Sequence, residues 1–327
     1  MAKLLAPAGT VEMAVGAIDE GADVVYVGPL GWSRRPSESE LGDDDIRTVI
    51  DYATRAGKQT WVAMNTCPST FEVEHFLSKV RDYAAWGAQG FVVTEVGAIA
   101  RMRRMVPEAA VHVSIGGGIT NRYDTAFYRA LGADAIILPY RWGTEEIAAA
   151  QLTSNIALEV FLFETVQTGM ICPGKCIMSS YLKFRDWLEV EKREDFHGSA
   201  NRGSKECYRV CQTPWAFEAP DAEAMDIRLR RDARLMLEQI PAYIAHGVQY
   251  FKLSGRERPA PLIVDLVRFY RKVIDGVLHD GCRDMAEYAD EMAVLRLRWV
   301  NEKRKRVDAL MSRAGEAPDV QPCRAPC

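Results

Sequence analysis

Gly21-Ala22-Asp23-Val24-Val25-Tyr26-Val27 decides how this chain folds. A helical pattern ends at a glycine, which takes the left-handed cap conformation at low cost, and a short β-rich apolar run follows. The unit returns three times. Gly87-Ala88-Gln89 precedes Phe91-Val92-Val93, Gly132-Ala133-Asp134 precedes Ala135-Ile136-Ile137-Leu138, and Gly247-Val248-Gln249 precedes Tyr250-Phe251-Lys252-Leu253. Continuous apolar runs of this kind suit strands buried on both faces of a parallel sheet. Four more strands fit between them, at Lys3–Ala6, Thr60–Met64, Val111–Ser114 and Ala157–Phe163. Amphipathic helical stretches such as Asp45–Arg55 and Phe71–Ala85 separate them. Eight strands alternating with helices predict an α/β fold of the TIM type, a parallel (β/α)8 barrel over residues 1–282; a doubly wound open sheet is the alternative.

The regularity breaks once, after the seventh strand. Residues 164–230 form an insertion rich in Gly, Ser, Arg and Cys, followed by a helix predicted at Arg231–His246. A loop of that length inside a compact domain is usually functional. It starts at the strand end where barrels build their active sites. Beyond residue 282 the pattern predicts one long helix over 283–313 and a Pro-rich flexible tail over 314–327. The basic run Lys303-Arg304-Lys305-Arg306 is short and reads as a solvated helix face, with contact to RNA or an acidic lipid surface as the alternative.

Composition is that of a globular protein, with 48% hydrophobic and 26% charged residues and a formal net charge of −4. That charge speaks against a protein that coats nucleic acid and leaves a local basic patch open. No stretch approaches the roughly 18 apolar residues of a spanning helix, and the N-terminus lacks a signal-peptide pattern, so a cytoplasmic location is expected.

Eight cysteines are many for such a compartment and point to metal or redox work. Four form two C-x3-C pairs inside the insertion, Cys172/Cys176 and Cys207/Cys211. Four thiolates suit a four-iron cluster, a two-iron cluster or a structural zinc, and C-x3-C spacing leans toward iron. Cys67, at the end of the third strand, is the alternative to Cys172 as fourth ligand. The radical-SAM spacing is absent, since Ser179 stands where a third cysteine would fall. No His-Glu-x-x-His or Gly-x-Ser-x-Gly occurs, so the common protease constellations find no support.

Polar residues at strand ends are the candidates for substrate chemistry. They include Asn65, Glu95, Ser114, Asn121, Tyr140, Arg141, Glu164 and Arg256. Arg141 and Arg256 suit an anionic substrate or donor carboxylate through forked hydrogen bonds, with Asn65 beside them. Glu164 suits a proton acceptor in ring hydroxylation, with Tyr140 as the second catalytic candidate. Gly116-Gly117-Gly118 follows the fifth strand and reads as a tight turn or a phosphate cradle.

Taken together the motifs resemble peptidase family U32, the collagenase-like peptidases. The likeness runs through Leu4-Leu5-Ala6-Pro7-Ala8-Gly9, Gly21 to Gly28, Leu158-Glu159-Val160-Phe161, Gly174-Lys175-Cys176 with Ser179-Ser180-Tyr181, Asn201-Arg202-Gly203 with Cys207 and Cys211, and Leu235–Arg256. The resemblance implies an oxygen-independent hydroxylase dependent on a 4Fe-4S cluster, with prephenate as oxygen donor in parts of the family. Chain length and acidity favour the branch acting on ubiquinone precursors, because RNA-acting members usually carry a further C-terminal domain. That branch implies a related protein as heterodimer partner, a lipid-carrier protein, a small aromatic substrate and no nucleic acid. A non-catalytic iron–sulfur subunit, an RNA pyrimidine hydroxylase and a peptidase are the other readings. The family's first cysteine falls here on Gly169, which marks the chain as a divergent member.

Overall fold

The computed structural model describes residues 2–35, 37–140, 142–164, 184–188, 193–197, 215–219, 222–227 and 234–315. Eight parallel strands close into a barrel: β1 (Lys3–Pro7), β2 (Val24–Val27), β3 (Gln59–Met64), β4 (Gly90–Val93), β5 (Ala110–Val113), β6 (Ala135–Ile137), β7 (Ala157–Phe161) and, after an excursion, β12 (Tyr250–Lys252). Each strand pairs with its neighbour in chain order, and β1 pairs with both β2 and β12, which excludes the open sheet. The excursion contains two antiparallel hairpins, β8 (Phe184–Leu188) with β9 (Arg193–His197) and β10 (Trp215–Ala219) with β11 (Ala222–Ile227).

The repeated glycine unit does two jobs. Gly21, Gly87, Gly132 and Gly247 all take positive φ, between 78° and 104°. The next amide turns back onto the helix, as when Ala22 N–H donates to the Ala17 carbonyl at 3.0 Å and Ala88 N–H to that of Tyr83 at 2.9 Å. The third residue then ties the start of the following strand to the one before it. Asp23 accepts from Leu4 N–H at 2.8 Å, Gln89 from Thr60 N–H at 2.9 Å and Asp134 from Val111 N–H at 2.7 Å.

Helices α1 (Val11–Asp19), α2 (Asp43–Arg55), α3 (Val73–Ala85), α4 (Val96–Met105), α5 (Arg122–Ala130), α6 (Thr144–Ser154), α7 (Ile240–Ala245) and α8 (Ala260–His279) surround the strands. Their apolar faces and the outward strand residues form the main core. The last helix, α9 (Ala289–Gly315), adds buried Met292, Leu295 and Trp299 to it.

Two boundaries differ from expectation. Of the helix predicted at Arg231–His246, the described residues from 234 on form only α7, because Pro241 sits in its first turn and cannot continue a helix from upstream. Leu235 instead makes an antiparallel bridge to Phe163. The C-terminal helix starts at Ala289, after a 3-10 turn at Ala286–Tyr288, rather than at residue 283. Among the described residues no helix is long and apolar enough to cross a membrane.

Candidate active site

The barrel interior departs from the usual filling of branched aliphatics. Its lower half packs Leu5, Val24, Tyr26, Trp61 and Tyr250, and its upper half Ala63, Val92, Ile137 and Phe161. Through it runs a chain of charged groups from three strands. Lys252 Nζ on β12 donates to Glu159 Oε1 on β7 at 2.7 Å, and Glu159 Oε2 lies 2.7 Å from His112 Nδ1 on β5. All three side chains are almost fully buried. Burial would raise the Glu159 carboxyl, but Lys252 and His112 outweigh it and hold it below the usual carboxylate range. Burial lowers His112 despite its carboxylate neighbour, so the ring is neutral at neutral pH and Nδ1–H donates to Glu159. His112 Nε2 has no hydrogen-bond partner among the described residues.

Lys252 opens upward into a cavity of about 430 Å³ at the C-terminal mouth. The loop after β2 brings Arg34 and Arg35 to it. Buried Glu40 shapes that loop by accepting from Gly31 N–H at 2.8 Å and from Ser33 Oγ–H at 2.7 Å. Asn65 secures its far end by accepting from Arg34 N–H at 3.1 Å. Phe161, Phe163 and Tyr140 form the aromatic side, with Tyr140 4.8 Å from the Phe161 ring and 5.7 Å from that of Phe163. Helix α9 supplies Arg296, Trp299, Val300 and Lys303 as a wall. Eight Lys and Arg side chains among the described residues line this cavity, against one carboxylate, Glu257.

The expected site residues separate into groups. Asn65, Tyr140 and Arg256 line the cavity. Glu164 does not; its carboxylate is committed to Arg296, 2.8 Å away. Glu95, Ser114 and Asn121 turn out to cap the helical turns that follow their strands, and Ser114 also touches the cavity. The triple glycine is a tight turn, since a Cβ at Gly116 would lie 2.8 Å from Arg34 and Thr94. Cys67 is half-buried and does not line the cavity. Arg141, Cys172, Cys176, Cys207 and Cys211 lie outside the described residues. Among those described, no group of three or more His, Cys, Asp or Glu could hold a metal ion.

Where the cysteine-bearing segment joins the barrel is well defined. Glu164 N–H donates to the Arg234 carbonyl at 2.8 Å and Met236 N–H to that of Leu162 at 3.0 Å. The segment therefore leaves and re-enters at one point on the cavity rim. His112, Glu159 and Lys252 escaped the sequence reading because no motif marks them. Their signal was a single titratable residue inside each of three apolar strand runs, where strand alternation turns it inward.

Residues 9–304 match the family profile described as peptidase family U32. Among curated proteins, the "tRNA hydroxylation protein P1" of Bacillus subtilis (strain 168) is 24% identical over 85% of this chain and 64% of its own length. The "23S rRNA 5-hydroxycytidine C2501 synthase" of Escherichia coli (strain K12) is 24% identical over 85% of this chain and 40% of its own. The chain thus spans less than two thirds of either relative. A solved structure titled "The Structure of the U32 Peptidase Mk0906" superposes with a TM-score of 0.50 at 14% identity, over 79% of this chain and 95% of that one, which speaks to the fold.

These matches correct the expectation of a quinone-precursor hydroxylase with a lipid-carrier protein and a heterodimer partner, and the expectation that nucleic acid is no partner. The relatives are named for RNA hydroxylation. The error lay in giving a net charge of −4 more weight than a local basic patch. Net charge averages over the molecule, whereas the cations here gather around one cavity.

Proposed function

The chain belongs to peptidase family U32, and from that premise we propose that it hydroxylates a pyrimidine base in RNA. The names of its relatives support this class of reaction. The observation that carries it is the two-part cavity: an aromatic side at Tyr140, Phe161 and Phe163 beside a concentration of Lys and Arg. A base taken out of its stack is bound by aromatic faces, and the phosphates that travel with it need cations. The activity is proposed for the stretch of chain shared with those longer relatives.

Cys172, Cys176, Cys207 and Cys211 are proposed to hold a 4Fe-4S cluster. Four soft thiolates in a segment anchored at both ends on the cavity rim make a fitting donor set. Such a cluster supplies one-electron chemistry when bound. The barrel's own residues bind and orient the base: Phe161 and Tyr140 by ring contact, Asn65 by holding the loop that presents Arg34 and Arg35.

The test compares nucleosides digested from tRNA and rRNA of wild-type and deletion strains by mass spectrometry. A pyrimidine lacking one oxygen atom in the deletion strain, restored by the wild-type gene and not by Cys176→Ala, is the expected result. Unchanged RNA together with a peptide substrate left uncut in the deletion strain would return the chain to the peptidase reading.

A further inference from the structure

Arg256 is only 5% exposed and lines the cavity. Its Nε and Nη1 are sealed from solvent without a partner. Burying a cation with two donors unpaired is costly, and the remaining nitrogen, Nη2, is the one that can make a strong, directional contact with an oxyanion in the cavity. The fold makes room for this group at Gly28, where a Cβ would fall 1.4 Å from Nη1. A second cation faces the same ring: Arg256 Cζ lies 5.9 Å and Lys252 Nζ 4.5 Å from the centroid of Tyr26. Lys252 cannot swing away, because Glu159 holds it from below and His112 holds Glu159.

Arg256 stands on the Tyr26 side of the cavity and the aromatic rings at β6 and β7; Lys252 on β12 lies between them, its Nζ 5.9 Å from the Phe161 ring centroid. An uncharged base seated on the rings gives Arg256 no counter-charge, whereas Lys252 already has Glu159. We propose that Arg256 and Lys252, with Gly28 as the clearance between guanidinium and backbone, form a phosphoryl-binding subsite that takes the phosphate of the nucleotide whose base occupies the aromatic side. The proposal deepens the RNA reading and rests on it for the identity of the base. The subsite answers to phosphoryl oxygen from two sources, a phosphate attached to the nucleotide or free inorganic phosphate.

The experiment uses the full chain prepared without oxygen and calorimetric titration with cytidine 5′-monophosphate, cytidine, inorganic phosphate and acetate at matched ionic strength. The wild type is expected to bind the monophosphate at least tenfold more tightly than cytidine, with inorganic phosphate competing and acetate not. Arg256→Gln, Lys252→Met and Gly28→Ala should each remove that preference, while Lys272→Gln on α8 keeps it. Gly28→Ala retains both charges, so it still decides the matter if the charge-removing variants fail to fold. Equal binding of nucleotide and nucleoside overturns the proposal, as does absence of phosphate binding, displacement by acetate, or a preference that survives in folded Arg256→Gln and Gly28→Ala. None of these readouts uses hydroxylation. Phosphate selectivity without RNA modification would remove the RNA reading and leave the subsite standing; RNA modification without phosphate selectivity would do the reverse.

Discussion

Arg296 Nη2 lies 2.8 Å from Glu164 Oε1 and 2.7 Å from the carbonyl oxygen of Leu235, so one guanidinium on α9 grips both stems of the excursion that follows β7. Its Nε adds a bond to the same carbonyl at 3.0 Å, and the side chain is only 16% exposed.

Arg296→Met should therefore cost more than a surface ion pair. Hydrogen bonds to a charged group contribute about 1.5–3 kcal/mol. The expected result is a loss in that range by denaturant unfolding, with faster amide exchange in α9 and around residues 162–164 and 234–236. Unchanged exchange at the stems would show that Arg296 does not hold them.

Lys252→Met leaves Glu159 fully buried with only a neutral imidazole as partner. Removing one member of a buried pair costs about 3–5 kcal/mol, whereas removing both charges is often near neutral. The double variant Glu159→Gln with Lys252→Met should accordingly recover most of the stability that Lys252→Met loses. Additive losses in a double-mutant cycle would contradict the coupling.

The pH dependence has a definite sign. His112 is depressed below its ordinary value of 6.5 by burial, so the unfolded chain binds a proton there more readily than the folded one. Stability from this group is complete above pH 6.5 and falls as the pH drops through the lower folded value. The denaturation midpoint should decline between pH 7 and 5, and His112→Gln should flatten that limb. An identical pH profile for the variant would assign the decline to other groups.

Charge at the cavity rim should be visible in salt titrations. Lys303 and Arg234 both line the mouth. Replacing either with Gln should weaken RNA binding across sequences and reduce the slope of log affinity against log salt by about one. An unchanged slope would place the RNA elsewhere.

Much of the barrel was legible because its determinants are local. A glycine that must cap a helix and an apolar run that must be buried occupy adjacent positions, and all eight strands were found within two residues at either end. Arg231–His246 was misread because Leu237, Ile240 and Ile244 have helical spacing, while Pro241 forbids a continuous helix and the partner of Leu235 lies across the structure at Phe163. Arg256 and Asn65 were reachable by counting past strand ends. The Lys252–Glu159–His112 chain was not, since three residues far apart in sequence meet only when the barrel closes. Glu164 lies just past a strand end as expected, but a helix more than a hundred residues later takes its carboxylate.

The clasp between residues 162–164 and 234–236 has an evolutionary and engineering consequence. A segment whose two ends are already held a hydrogen bond apart does not strain its host when its length changes. Each doubling of a flexible loop costs only about 0.6 kcal/mol in closure entropy. The barrel thus carries the excursion as a replaceable cassette. Grafting the corresponding stretch of another family member between Glu164 and Arg234 would transplant that member's version of the cysteine-bearing segment while leaving the host's strands, and the charged floor beneath the cavity, unaltered.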